Sequence, residues 1–345
     1  MYVKKNFSFA EIIQFSGRHL IWLTLWMISA VCFYEFFHFD WLKFSWLPIS
    51  LIGTAVAFYV GFKNNQAYDR LWEARKIWGG IVNSSRAWGS SVKSFITNQF
   101  RESDLSDTEL YAIHKRLIYT HIGWLFTLRN QLLIPTQWEH VSQGNKVAKR
   151  AAKRQEELGF GLTKDDFTED CLRMFLPEDK FESLINYKNT ATQILDLQSQ
   201  EITQLRSRDT IDDFRHVELQ ELINEFYTLQ GKCERIKKFP LPRQYGHMSG
   251  IFIGIFIFLL PWGMVNEFHD LSRFGAWVSI PFSVIVGWVF VMMELVGDYS
   301  ENPFEGLGND IPMMALCRTI EIDLREMLGE TELPPGIKPI NGILM

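Results

Sequence analysis

Apolar residues along this chain gather into four long runs, two towards each end, and a polar stretch with helical spacing lies between the pairs. The first run, LIWLTLWMISAVCFYEFF (20–37), holds one charge, Glu35, near its end. The second covers 46–62 and has Pro48 close to its start, where a missing N–H does least harm. MSGIFIGIFIFLLPWGMV (248–265) and WVSIPFSVIVGWVFVMMELV (277–296) make the second pair, and Pro261 and Pro281 predict kinks or ends within them. A bilayer core needs about 20 mainly apolar residues in helix. Each run therefore predicts a membrane span. Buried core helices would show similar apolarity, but Trp at many of the run edges favours the membrane–water boundary.

The stretch from 101 to 238 is polar and helix-forming. KRLIYTHIGWLFTLRNQL (115–132) places Leu117, Ile118, His121, Trp124, Leu125 and Leu128 at intervals of three and four, which predicts a helix with one buried stripe. Further helices are expected over 180–205 and over 217–236, the latter patterned by Leu219, Leu222, Ile223, Phe226 and Leu229. RSRDTIDDF (206–214) interrupts the pattern as a loop or helix start, with Asp209 or Thr210 as the cap. The charged segment 143–164 reads as a solvated helix or a link, and GETELPPGIKPINGILM, from Gly329 on, as an extended tail. No internal repeat is visible. The organisation expected is 1–62 with the first two spans, 63–240 as a helical region, 241–296 with the other two spans, and 297–345 as a C-terminal segment.

Charge then orients the chain. Lys4, Lys5 and Arg18 precede the first span, Lys63, Arg70, Arg75 and Lys76 follow the second, and Arg235, Lys237, Lys238 and Arg243 precede the third. The short links hold one basic residue each, Lys43 and Arg273, so both termini and the middle region are expected in the cytoplasm. A net charge of −5, with basic residues beside apolar runs, argues against nucleic acid as a partner. Cys32, Cys171, Cys233 and Cys317 are scattered, as are the eight histidines, so neither a metal site nor any other cofactor is expected. No cleavable signal peptide is expected either. Nucleophile, base and orienting group do not fall at recognisable spacing, which argues against an enzyme. The spans lack a midplane acid or base beyond Glu35 and Glu294 at their ends, which argues against a transporter.

GFKNNQAYDRLWEARKIWGG (61–80) follows the second apolar run with no helix stop between them, so one rod is expected to leave the membrane unbroken. On that rod Gly53, Ala57 and Gly61 share a small-residue face that lets another helix come close. Thr54, Phe58 and Phe62 share the adjacent face. Spacing leaves two roles open for it: packing against a helix or lipid, or ringing a narrow hydrophobic pore that gates by dewetting.

The same stretch resembles the end of the second membrane helix in the bestrophin family, particularly its bacterial branch. CERIKKFPLPRQY (233–245) is similar to the family's approach to the third span, and ENPFEGLGNDIPM (301–313) to its acidic NPF segment after the fourth. The order of two spans, long helical insert and two spans is also the family's. This resemblance implies an all-α membrane protein with four transmembrane helices per protomer, a large cytoplasmic helical region and a homopentamer around a central pore. It implies a channel passing monovalent ions, chloride ahead of sodium, in the bacterial inner membrane; its partners are copies of itself, lipid and the permeant ions. A membrane-tethered scaffold is the rival class. The family's apolar neck falls on Thr54, Phe58 and Phe62, with Thr54 replacing the usual bulky aliphatic, and its cytoplasmic aperture on Ile211. Lys63, at the inner end of the neck, stands either as an attractor of anions or as a phosphate-facing anchor. Animal members bind calcium through an acidic run after NPF; EGLGNDIP lacks that run. Glu301, Asn302, Pro303 and Phe304 are thus expected to fix the exit of the fourth span and pack beneath the membrane, with Glu305 and Asp310 the acids that remain in the motif.

Overall fold

The computed structural model describes residues 1–37, 44–144, 148–153, 172–269 and 274–345, and its long elements are all helices. They are α1 (Phe9–Phe37), α2 (Trp46–Phe95), α3 (Asp107–Leu133), α4 (Glu178–Ile185), α5 (Thr190–Ser207), α6 (Asp213–Lys238), α7 (Arg243–His269), α8 (Gly275–Asp298) and α9 (Met313–Met327). Two isolated antiparallel bridges, Tyr2 with Ile343 and Ile340 with Ile343, are the β pairing among the described residues. The chain divides into two compact units, one of Lys4–Arg70 and Pro240–Asn302, the other of Met1–Val3, Leu71–Phe239 and Pro303–Met345.

The first unit holds α1, the first half of α2, α7 and α8; these four helices are long and apolar enough to cross a bilayer. Leu23, Met27, Val56, Val60, Phe256 and Leu260 form the centre of its core. Pro261 and Pro281 end neither helix: each lies inside a continuous one. Close approach is real at Gly53, where a Cβ would stand 2.7 Å from the Phe256 ring, and at Gly263, where it would stand 2.6 Å from Ile49. Gly61 meets nothing within 4 Å, so only part of the small-residue face is used inside the protomer.

In the second unit α3 lies at the centre, packed on α5, α6 and α9. Its residues from Thr120 to Arg129 are buried on every side, which a single-stripe reading does not anticipate. The helix also starts about two turns before the periodic segment, because Ser106 and Glu109 form a capping box: Glu109 N donates to Ser106 Oγ at 3.3 Å and Ser106 N to Glu109 Oε2 at 2.8 Å. The helix expected over 180–205 is two, since Asn189 Oδ1 accepts from Thr192 N at 3.1 Å and starts α5 afresh. In RSRDTIDDF neither Asp209 nor Thr210 caps. Asp212 does, accepting from Arg215 N at 2.8 Å, while Asp209 takes the left-handed turn at φ 53° and Thr210 accepts from Arg101. Of the charged segment 143–164, residues 148–153 are helical and most of the rest lies outside the described residues, as does Cys171.

Candidate functional site

Thr54, Phe58 and Phe62 all emerge on a bare face of α2; Phe58 is 66% and Phe62 60% exposed. No aromatic ring or cation stacks on either phenylalanine among the described residues. Thr54 Oγ1 donates back to Ser50 O at 2.8 Å, so its outward face offers a methyl group and an oxygen lone pair. The bare face does not stop at Phe62. Leu47, Leu51, Thr54, Phe58 and Phe62 are followed at the same three- and four-residue steps by Asn65, Asp69, Trp72 and Lys76, and then by Asn83, Ala87, Ser90 and Ser94, all exposed. From Leu47 to Lys76 this line of the helix stays uncovered by its own protomer, apolar as far as Phe62 and mainly polar beyond it, and after the half-buried Gly79 and Gly80 it is exposed again from Asn83.

Lys63, by contrast, turns inward. It is 1% exposed and its Nζ meets Glu294 Oε1 of α8 at 2.5 Å, with Ser249 Oγ donating to the same oxygen at 2.7 Å. A paired, buried ammonium neither attracts passing anions nor reaches a phosphate headgroup, so both roles expected for Lys63 are set aside. A lysine just past the second apolar run and a lone glutamate inside the fourth were the signal for this pair. Beside it, Asn64 Nδ2 donates to Met293 O at 2.9 Å, and Asn64 Oδ1 lies 1.9 Å from where a Cβ on Gly297 would sit, so that position has room for glycine alone.

Ile211 is corrected outright. It is 0% exposed and belongs to the core of the second unit, and a side chain buried inside one protomer has no surface to turn towards an axis. Three residues on, Phe214 in the first turn of α6 is 86% exposed. Its sequence signal was its position off the stripe set by Leu219, Ile223 and Phe226, which marks an apolar side chain pointing away from the core.

The segment after α8 is a buried polar loop. Within the first unit Arg243 Nη1 lies 3.6 Å from Glu301 Oε1, at the start of α7, and the buried Asn302 side chain has no hydrogen-bond partner among the described residues. Within the second unit Asp310 accepts from the backbone N–H of Phe304, Gly306 and Ile311 at 3.0, 2.8 and 2.7 Å. Those bonds hold Phe304 at φ 70° and Gly306 at φ 80°, and they drive the Phe304 ring into the core. Burial pushes the Asp310 carboxyl above its ordinary range while the three N–H groups pull it down. Glu305 meets His140 Nδ1 at 2.9 Å, and Lys237 pairs with Glu139 and donates to Phe304 O at 3.2 Å. These carboxylates are taken up by the protein itself. Among the described residues no group of three or more His, Cys, Asp or Glu is disposed to hold a metal ion.

Known proteins resemble this chain in sequence and in fold. Voltage-dependent anion channel-forming protein YneE of Escherichia coli strain K12 is 25% identical over 298 residues, 86% of this chain and 82% of its own length. A voltage-dependent anion channel-forming protein of Ralstonia nicotianae is 27% identical over 301 residues, 86% of this chain and 83% of its own. The crystal structure of a bacterial bestrophin homologue from Klebsiella pneumoniae superposes with a TM-score of 0.71 at 24% identity, covering 92% of this chain and 98% of that one. The family model described as Bacterial/Fungal Bestrophin protein matches residues 17–326, and with four apolar helices flanking a helical insert the chain belongs to that family.

Proposed function

We propose that the chain is the subunit of a homopentameric channel that conducts anions, chloride among them, passively across the inner membrane. The observation that carries this reading is the uncovered line along α2, apolar from Leu47 to Phe62 and mainly polar from Asn65 on. Five such helices around an axis make a narrow dry neck opening into a wet vestibule. The names of the Escherichia coli and Ralstonia nicotianae relatives support anions as the permeant class. In the neck an ion sheds part of its hydration against the rings of Phe58 and Phe62; ring edges carry a slight positive charge and suit an anion, ring faces suit a cation. Thr54 supplies an oxygen and a methyl at the outer end, which makes that layer wetter than the two phenylalanine layers. Phe214 replaces Ile211 as the apolar side chain available for the cytoplasmic constriction.

Both chain ends belong to the insert side in this reading. Tyr2 bridges Ile343, Val3 N donates to Gly342 O at 3.0 Å, and Leu344 N to Met1 O at 2.9 Å, all within the unit that contains α3 to α6. Together with the basic flanks of the spans, this supports cytoplasmic termini.

The test is purified protein in liposomes under a chloride salt gradient. A current reversing near the chloride equilibrium potential is expected. Reversal near the cation potential makes the protein a sodium-type channel of the same build, and no current at all leaves a membrane-tethered scaffold.

A further inference from the structure

The bare face of α2 carries a charge beyond the proposed neck. Asp69 lies on the same line as Phe58 and Phe62, two turns beyond Phe62, and is exposed. Nothing described in the protomer neutralises it: among the described residues no cation is paired with its carboxylate. The basic residue nearest the neck in sequence, Lys63, is consumed by Glu294. The next charge along the line is Lys76, a further two turns away. At about 1.5 Å per residue, Asp69 stands about 10 Å beyond Phe62 along the helix and Lys76 about 10 Å beyond Asp69. That spacing equals about one Debye length at 0.1 M salt, so the field of Asp69 reaches the mouth of the neck ahead of any field from Lys76.

We propose that Asp69, repeated in each copy, forms the first charged ring an ion meets on leaving the neck, and that this ring sets the balance between anion and cation permeability. The inference rests on the pentameric channel reading given above. Five carboxylates each about 10 Å from an axial ion, screened by 0.1 M salt, enrich a monovalent cation about threefold and deplete an anion by a similar factor. The ring opposes anion flow, so whatever anion preference the channel shows comes from the neck and is reduced at its inner mouth. Asp69 is a specificity-determining residue here rather than part of the constriction, and its removal leaves the neck intact.

The experiment compares wild type with Asp69→Asn, Asp69→Ser and Asp69→Glu in liposomes, reading reversal potentials under a potassium chloride gradient. In 0.1 M salt the anion-to-cation permeability ratio is expected to rise about three- to tenfold in Asp69→Asn and Asp69→Ser, and the difference to shrink towards nothing in 1 M salt. Asp69→Glu, which keeps the charge, should retain the wild-type ratio. If wild type conducts and the assembled neutral variants keep its ratio, the ring has no such role. The charge of the ring is equally ruled out if Asp69→Glu shifts the ratio as far as Asp69→Asn does, because shape then governs. Absence of wild-type current refutes the channel reading instead, so the two failures are distinguishable.

Discussion

At the scale of single residues, exposure separates the side chains proposed to line the neck from those that build the protomer. Phe58 and Phe62 carry most of their surface outward, so trimming them removes little packing. Replacing both with alanine should raise single-channel conductance several-fold with assembly intact; unchanged conductance would count against the neck. His121 is the opposite case. It is fully buried, and its Nε2 lies 2.9 Å from Ser85 Oγ, which itself donates to Ile81 O at 2.6 Å, so Nε2 carries the proton and donates to the hydroxyl. Burial lowers the imidazole pKa from 6.5 to about 3. The native state thus keeps His121 neutral, whereas the unfolded chain takes up a proton below pH 6.5. The stability this neutral histidine provides is present above that value and is lost as pH falls towards 3, by up to about 1.4 kcal/mol per pH unit. The apparent melting temperature in detergent should therefore drop between pH 7 and pH 5, and by less in His121→Leu. An equal drop in both proteins would place the proton uptake elsewhere.

At the scale of elements, α2 and α7 meet where glycine leaves room for a ring. Phe256 occupies the space a side chain at Gly53 would need, and overpacking of this kind costs about 1–3 kcal/mol. Gly53→Val should lower the melting temperature and the yield of folded protein, while Gly61→Ala, with nothing within 4 Å, should leave both unchanged. A tolerant Gly53→Val would mean the two helices are free to separate. The spans were legible in the sequence because apolarity over about 20 residues is a strong and local signal. The continuity of α2 was legible as far as Gly80, because no proline follows Pro48; its run on to Phe95 through Gly79, Gly80 and Gly89 was not, since glycine disfavours a helix interior. Caps were less legible. Asp209, Thr210, Asp212 and Asp213 are all chemically able to cap, and the choice of Asp212 depends on where Ile211 is drawn into the core. The same pull accounts for the misplaced aperture, since one turn of helix decides whether an apolar side chain points inward or out, and loop register is not encoded in spacing. Nor did periodicity reveal that α3 is surrounded, because Thr120, Thr127 and Arg129 look like a solvent face until α5, α6 and α9 close over them.

At the scale of the whole molecule, the bare line of α2 needs company. In the second unit Trp72, Met174, Tyr187, Phe214 and Val217 are more than half exposed, large apolar side chains that neighbouring copies could cover. In the proposed pentamer, copies packed side by side would cover such groups and at the same time bring the α2 lines to a common axis. Scattered surface residues of a monomer would explain those side chains but would leave the polar continuation of the line without a purpose. Light scattering on detergent-solubilised protein, corrected for bound detergent, should thus give five times the 40.4 kDa protomer mass. Because assembly stabilises the folded subunit by mass action, the melting temperature should also fall on dilution. A mass of one or two protomers in protein that still conducts would separate conduction from the five-fold axis, and would require each α2 to line a pore within its own subunit, where its exposed face has no opposing wall.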